Sequence, residues 1–180
     1  MAHLEWSDAL NLDLPLMDDT HREFVDLLAA VDQAGDADLL PRWRALVEHT
    51  EQHFGQEDDW MASTRFASGN CHSMQHKVVL QVMRECTARA EQGDLKVLRV
   101  MASELALWFP QHAQSMDASL ALHLRRVGFD PVTGVVHAPG ALPGALIHGC
   151  GGVTCSALAS FTHTSLALPV KSSHFSLATA

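Results

Sequence analysis

Apolar residues recur with a helical period along the N-terminal two thirds of the chain. Over residues 18–34 they are spaced three and four apart, as on one face of a helix, and Gly35 then provides a stop. A second stretch covers residues 37–63, with Pro41 in its first turn or so, where the missing N–H matters least. The second stretch is long enough to cross a small bundle at about 1.5 Å per residue.

Two further amphipathic stretches follow. Asn70 is placed to cap a third helix that ends at Gly93, and a fourth helix is expected to start near Asp94. A short fifth helix over residues 116–126 is expected to cover one end. Four such helices joined by short turns can bury their apolar stripes only against one another. The sequence therefore predicts an all-α fold, an antiparallel up-and-down four-helix bundle.

The two ends of the chain differ from this pattern. The first sixteen residues show no strong period and are expected to pack as an arm. Every Asp and Glu lies at or before Asp130, whereas residues 131–180 carry a single charged side chain, Lys171. We therefore predict a bundle domain over residues 1–130 and a low-charge, largely irregular tail beyond it.

Charge and composition exclude several classes of function. A net charge of -9, from 12 Lys and Arg against 21 Asp and Glu, repels phosphate backbones and anionic lipid, so no nucleic-acid or membrane partner is expected. No apolar run reaches the roughly 18 residues of a membrane span, and the N-terminus does not resemble a secretion signal. We expect a soluble, cytoplasmic protein whose four cysteines are free thiols.

Histidine is unusually abundant, with 12 copies in a chain without tyrosine. Each of the four apolar stripes contains histidine, beginning with His21 on the first. His53 and Glu57 are four residues apart on the second stripe, and His72 and His76 have the same spacing on the third. Because residues four apart share a helix face, each pair presents two ligand atoms to one point in the core.

The fourth stripe carries His112 and Asp117, which are five residues apart. In a regular α-helix this spacing turns the second side chain about 140° away from the first. Pro110 suggests a cause of distortion, because it removes a backbone hydrogen bond and its ring clashes with the carbonyl of Ala106. A straight helix with Asp117 facing solvent would contradict this hypothesis.

A lone histidine on an apolar face is usually a hydrogen-bonded core residue. Five histidines and two carboxylates on facing stripes are a different case, because their desolvation and mutual repulsion require a compensating cation. The stripes therefore predict a metal site. His3, His49 and His123 lie off this pattern and are expected to face solvent.

The order of these residues resembles the hemerythrins, specifically the bacterial single-domain type. The resemblance covers about residues 5 to 130 and includes the segment from Met17 to Arg22, His53-Phe54, and Trp108 four residues before His112. It implies two iron ions joined by an oxo or hydroxo group. One iron would be bound by His72, His76 and His112, the other by His21 and His53, with Glu57 and Asp117 bridging both.

The resemblance also implies a function. Two six-coordinate ions offer twelve positions, of which five imidazoles, four carboxylate oxygens and the shared oxygen, counted twice, fill eleven. Dioxygen could bind reversibly at the last position, on the iron with two histidines. The neighbouring apolar residues would then exclude water, unless they are plain core: Phe24, Leu28, Phe54, Trp108 and Phe109.

Other functions fit the same architecture. Di-iron oxidases and peroxidases of the ferritin-like kind use Glu-x-x-His pairs and four or more carboxylates, and no such pair occurs here. We therefore expect an oxygen carrier, store or sensor rather than an enzyme. A nitric-oxide or iron-responsive protein is a further alternative, with the tail binding an unknown protein partner. A second metal at His148, Cys150 and Cys155 is not expected, because the ligand set is incomplete.

Overall fold

The computed structural model describes residues 4–66 and 71–145. Within these ranges the chain is helical, and the only β-type pairing is an isolated bridge between Phe129 and Val136. The helices are α1 (Pro15–Asp32), α2 (Asp36–Ser63), α3 (Cys71–Glu91), α4 (Lys96–His112) and α5 (Ala118–Arg126), with a π turn at Ala113–Asp117 and 3-10 turns at Asp8–Leu10 and Pro139–Ala141. No described helix is both long and apolar enough to span a bilayer.

The first four helices form the predicted bundle. Helix α1 packs against α2 and α4, and α3 packs against the same two helices. The α1–α2 and α3–α4 connections are only three and four residues long, which makes sequence neighbours antiparallel. Gly93 adopts a positive φ of 96° after α3, a conformation that costs glycine little. The predicted all-α up-and-down fold is confirmed.

The helix ends differ from the sequence prediction by a few residues. Helix α1 begins at Pro15, because proline suits the first helical position, and α4 begins at Lys96 rather than near Asp94. The predicted fifth helix is α5, which begins at Ala118, two residues later than predicted, and continues from α4 through the π turn. Asn70 lies outside the described residues.

Buried apolar side chains form two clusters. The larger cluster is built from α1 to α4 and includes Phe24, Leu28, Trp43, Leu46, Phe54, Met83, Leu105 and Phe109. The smaller cluster is built from the N-terminal arm, the ends of α1 and α2, helix α5 and the segment after it, and includes Leu12, Leu14, Met17, Trp60, Met61, Leu120, Leu124 and Phe129. Along each bundle helix, buried histidine and carboxylate side chains lie next to these clusters.

The N-terminal arm packs against the bundle, as predicted. Leu10, Leu12 and Leu14 are buried. The carboxylate of Asp18 is also buried and accepts hydrogen bonds from the backbone N–H of Leu12 at 2.7 Å and of Leu14 at 3.1 Å. Arg125 on α5 donates to the carbonyl of Leu12. The arm is therefore fixed by polar contacts to its backbone as well as by apolar burial.

The described part of the C-terminal tail, residues 131–145, is irregular, as predicted. It nevertheless packs on the bundle, because Val136, Ala141 and Leu142 lie against the smaller cluster. The backbone N–H of His137 also donates to the carbonyl of Gly128 at 2.8 Å. Residues 146–180, including His148, Cys150 and Cys155, lie outside the described ranges.

The expectation of free thiols is confirmed for one cysteine and wrong for another. Cys86 is free and buried, and burial raises the pKa of its thiol to about 11. Cys71, at the start of α3, is disulfide-bonded. Disulfide formation depends on which cysteines the fold brings within reach, and sequence spacing does not show this.

Candidate metal centre

The seven side chains predicted to bind metal meet in one buried layer of the bundle. None is more than 3% exposed. The four bundle helices and the π turn each contribute to the layer: His21 comes from α1, His53 and Glu57 from α2, His72 and His76 from α3, His112 from α4, and Asp117 from the π turn.

The carboxylate of Glu57 faces histidines on both sides. Its Oε1 lies 3.1 Å from Nε2 of His53 and 3.8 Å from Nε2 of His21. Its Oε2 lies 3.2 Å from Nε2 of His72 and 3.4 Å from Nε2 of His76. Glu57 therefore directs one oxygen to each of two groups of imidazoles.

Asp117 divides its oxygens in the same way. Oδ2 lies 3.3 Å from Nε2 of His21, whereas Oδ1 lies 2.9 Å from Nε2 of His72 and 3.1 Å from Nε2 of His112. The two carboxylates thus separate the layer into two pockets. The two-histidine pocket contains His21 and His53, and the three-histidine pocket contains His72, His76 and His112.

The π turn explains the five-residue spacing. The backbone N–H of Ala118 donates to the carbonyl of Ala113, five residues earlier, instead of four as in an α-helix. This wider turn returns Asp117 to the side of the helix that carries His112, and Asp117 is fully buried. The predicted distortion is confirmed, although it follows His112 instead of preceding it, with Pro110 inside α4.

Hydrogen bonds outside the layer orient two imidazoles of the three-histidine pocket. Nδ1 of His76 lies 3.2 Å from Oδ1 of Asp58, and Nδ1 of His112 lies 3.2 Å from Oε1 of Gln75. A carboxylate at neutral pH and an amide oxygen only accept, so both Nδ1 atoms must donate. The Nε2 atom of each neutral ring is then a bare acceptor directed into the pocket.

These tautomers create a conflict that a cation would remove. Nε2 of His76 and Nε2 of His112 are only 3.3 Å apart. If both rings are neutral, two lone pairs face each other without a proton between them. Among the described residues, many other atoms of the layer lie close to opposite charges but make no hydrogen bond of good geometry, including both ring nitrogens of His21 and of His72 and both oxygens of Asp117.

The donor set fits a pair of metal ions. Two groups of side chains have ligand atoms close enough together to hold a metal ion. Glu57, His72, His76, His112 and Asp117 form one group, and His21, His53 and Glu57 form the other. Imidazole and carboxylate ligands together suit first-row transition metals such as iron.

The electrostatics of the layer also favour added positive charge. Burial raises the pKa of Glu57 and of Asp117, but the surrounding imidazoles outweigh it and hold both values well below their usual range. Burial lowers the pKa of His21 and His72, but the negative charges of the adjacent Glu57 and Asp117 outweigh it and raise these values to about 9 and about 10. For His112 burial dominates, and its pKa falls to about 4.

Aromatic side chains surround the layer unevenly. Phe109 meets the ring of His21 edge-on at 5.2 Å, and Phe24 stacks on Phe109 at 4.4 Å. These two residues cover the two-histidine pocket. Trp108, which was expected to help cover the same pocket, instead stacks on His112 at 4.4 Å on the three-histidine side.

Phe54 stacks on His76 with ring centroids 4.0 Å apart and also contacts His53 at 5.3 Å. It therefore borders both pockets. Leu28 is buried in the larger cluster, as a plain core residue would be.

Two histidines outside the pattern are less exposed than expected. His49 is mostly buried and its Nε2 is 3.1 Å from the carbonyl oxygen of Thr20, one helix away. His123 is 7% exposed and its Nε2 is 3.0 Å from the carbonyl oxygen of Thr64. Both rings contact backbone from another part of the chain, namely α1 and the residue that follows α2, an effect that the periodicity of one helix does not reveal. His3 lies outside the described residues.

Sequence reasoning missed the contribution of Gln75. Its side chain accepts from His112 and, at 3.3 Å, from Nε1 of Trp108. The only indication of this contact in the sequence is that Gln75 directly precedes His76 and that Trp108 lies one turn before His112.

A helical bundle with a buried layer of five histidines and two carboxylates that each face both pockets defines a class of candidate metal-binding proteins. The family model described as "Hemerythrin HHE cation binding domain" matches residues 12–122. The chain belongs to the hemerythrin family, a family whose domain implies a non-heme di-iron centre.

Individual relatives agree with this assignment. A bacteriohemerythrin of Ralstonia nicotianae is 38% identical over 130 residues, which cover 72% of this chain and 95% of the relative. A bacteriohemerythrin of Pseudomonas paraeruginosa is 25% identical over 66% of this chain and 79% of its own length. A myohemerythrin of Sipunculus nudus is 22% identical over 62% and 86%, respectively. No solved structure gives a significant match.

Proposed function

We propose that the protein binds dioxygen reversibly at a non-heme di-iron centre and acts as an oxygen carrier, store or sensor rather than as an enzyme. Glu57 and Asp117 bridge the two irons in this proposal, with an oxo or hydroxo group completing the bridge. The terminal ligands are His72, His76 and His112 on one iron, and His21 and His53 on the other.

The observation that carries the proposal is the unequal division of the layer. Each carboxylate directs one oxygen to each pocket, while three imidazoles lie on one side and two on the other. With a shared bridging oxygen, six ligands surround one ion and five surround the other. The two-histidine pocket is therefore the place for an exogenous ligand.

Two ferrous ions held here would supply the electrons that dioxygen takes up on binding and returns on release. The protein's own contribution is orientation and the exclusion of water. Phe109 and Phe24 cover His21 with stacked apolar rings, and all three side chains are fully buried. An apolar cover of this kind disfavours displacement of a charged ligand by water.

The test is anaerobic loading of the metal-free protein with ferrous iron, followed by repeated cycles of air and vacuum while the visible spectrum is recorded. We expect two irons per chain and a charge-transfer band that appears in air and disappears under vacuum. Permanent oxidation with consumption of a reductant would contradict the proposal and favour the oxidase or peroxidase alternative.

A pair of variants on α2 separates bridging from general charge effects. Glu57→Gln removes a bridging charge and is expected to abolish the band and to reduce the iron content below two per chain. Glu51→Gln removes a carboxylate from the solvent-exposed face of the same helix, where Glu51 pairs with Arg84. This control is expected to keep both irons and the reversible band. Equal behaviour of the two variants would contradict the bridging role.

A further inference from the structure

The two pockets differ in the hydrogen bonds that the Nδ1 atoms of their imidazoles make with residues outside the layer. In the three-histidine pocket, His76 and His112 donate through Nδ1 to Asp58 and Gln75. In the two-histidine pocket, Nδ1 of His21 and Nδ1 of His53 are buried without a hydrogen-bond partner among the described residues. Two of the three imidazoles in the three-histidine pocket are therefore oriented by polar contacts, while Nδ1 of His72 has no partner among the described residues. Both imidazoles of the two-histidine pocket are oriented by packing.

This difference affects ligand strength in two ways. A hydrogen bond from Nδ1 fixes both the rotation and the tautomer of a ring, so that Nε2 is already directed at the metal position. The hydrogen bond to Asp58 also makes Nε2 of His76 a stronger metal ligand, because a carboxylate that accepts the proton of Nδ1 raises the basicity of the imidazole. Among the described residues Nδ1 of His21 and Nδ1 of His53 have no such partner, and Nε2 of His53 lies 3.1 Å from the acceptor Oε1 of Glu57. An ion that enters this pocket must therefore displace the proton from Nε2 of His53 without help from an outer hydrogen bond.

Gln75 acts on more than one ring. The indole N–H of Trp108 is only a donor, so the atom of Gln75 that faces both Trp108 and His112 is the amide oxygen. Trp108 in turn stacks on His112 with an interplanar angle of 27°. The side chain of Gln75 therefore holds the His112 ring and the indole that packs against it in one arrangement.

We propose that Asp58 and Gln75 are positioning residues that make the three-histidine pocket the tighter metal position, so that this pocket fills first and the two-histidine pocket fills second. The inference rests on the proposed function and adds an order of loading to it. The chain would then pass through a form with one divalent cation. In this form the oxygen-binding position does not exist, because the ion of the two-histidine pocket has not yet bound.

The experiment is a titration of the metal-free full chain with Co²⁺, under reducing conditions, followed by visible absorption and calorimetry. The wild-type protein is expected to bind two ions in two resolved steps. Asp58→Ala and Gln75→Ala are each expected to weaken the first step by about 10- to 100-fold and to change the second step less. Gln75→Glu keeps an acceptor oxygen and is expected to restore the first step.

Matched controls lie on the same two helices. Asp59→Ala removes the exposed neighbour of Asp58, and Gln81→Ala removes an exposed glutamine of α3 that bonds only to Glu85 in the described chain. Both are expected to leave the two steps unchanged. The melting temperature of each metal-free variant is measured in parallel, since a merely structural role would lower it together with the affinity.

The outcomes are distinguishable. If the wild-type protein binds no Co²⁺, the proposed function itself fails. If two ions bind with equal affinity, or if both alanine variants keep the first step, only the order of loading is overturned. A loss of affinity explained fully by a lower metal-free melting temperature also overturns it. Should an alanine variant not fold, Asp58→Asn replaces Asp58→Ala, because it removes the charge, and Gln75→Met replaces Gln75→Ala, because it removes the acceptor oxygen at similar size. A weakened first step is expected for both, and an unchanged first step in both would overturn the order of loading.

Discussion

The two apolar clusters on either side of the polar layer are built by different means. The larger cluster is formed by regular helices whose apolar residues recur at helical spacing, as with Phe24 and Leu28 on α1. The smaller cluster is closed by the arm, α5 and the segment after it, where individual polar contacts fix the chain, such as Asp18 to the arm backbone. Periodicity specifies the first cluster, whereas specific hydrogen bonds are needed for the second.

The largest expected effect lies in the larger cluster. Trp43 is fully buried there and its Nε1 donates to Thr87 at 2.9 Å. Trp43→Ala should lower the free energy of unfolding by about 3–5 kcal/mol, measured by denaturant titration, while the folded protein keeps two metal ions. Trp60→Ala in the smaller cluster should cost less, about 3 kcal/mol or below, because the irregular segments around it can relax. Equal costs would remove the distinction between the clusters.

The second prediction concerns the contact that holds the arm. Asp18→Ala leaves two buried backbone N–H groups, those of Leu12 and Leu14, without an acceptor. We expect a loss of about 2–3 kcal/mol in the free energy of unfolding. Asp19→Ala, the adjacent control, removes only an exposed pair with Arg22 and should cost less than about 1 kcal/mol. Similar losses for both variants would mean that the hydrogen bonds of Asp18 do not hold the arm.

A smaller effect is expected from the C-terminal segment. A chain that ends at residue 130 lacks Val136 and Leu142, which are partly buried against the smaller cluster. Compared with a chain that ends at residue 145, in reducing buffer, it should lose about 1–2 kcal/mol of unfolding free energy. Both chains should bind the same number of metal ions. Loss of metal from the shorter chain alone would show that the smaller cluster is required for the site.

The smallest expected effect is a pH dependence at the smaller cluster. Burial lowers the pKa of His123 below its usual value of 6.5, although the bond to the carbonyl of Thr64 raises it. The folded state therefore prefers the neutral ring, and its contribution to stability is complete above pH 6.5 and decreases as the pH falls towards the lowered value. The advantage in melting temperature of wild type over His123→Gln should shrink between pH 7.5 and 5.5. Parallel melting curves would exclude this contribution.

Much of the fold could be predicted from the sequence because helix spacing determines which residues face the core. The same rule places His53 beside Glu57 and His72 beside His76, so two of the ligand pairs follow from local geometry. The outer contacts of Asp58 and Gln75 could not be predicted in this way. They join residues of different helices, and their geometry depends on how those helices pack.

The same limit explains the errors. His49 and His123 lie off the apolar stripe of their own helices, but carbonyl groups of neighbouring segments cover them. Trp108 was expected beside the two-histidine pocket, and its indole instead reaches Gln75 on the opposite side. In each case the deciding contact comes from a distant part of the chain, for which a one-dimensional pattern contains no signal.

The π turn has a consequence for how the length of this segment can vary. A ring closed over five residues contains one residue more than a ring closed over four. A chain one residue shorter between His112 and Asp117 could therefore continue as an unbroken α-helix and still present the carboxylate to the imidazole. Deletion of Ser115 should thus leave α5 and the number of bound metal ions unchanged. The π turn thus accommodates one extra residue, and the residues of α5 keep the faces that they would have in an uninterrupted α-helix.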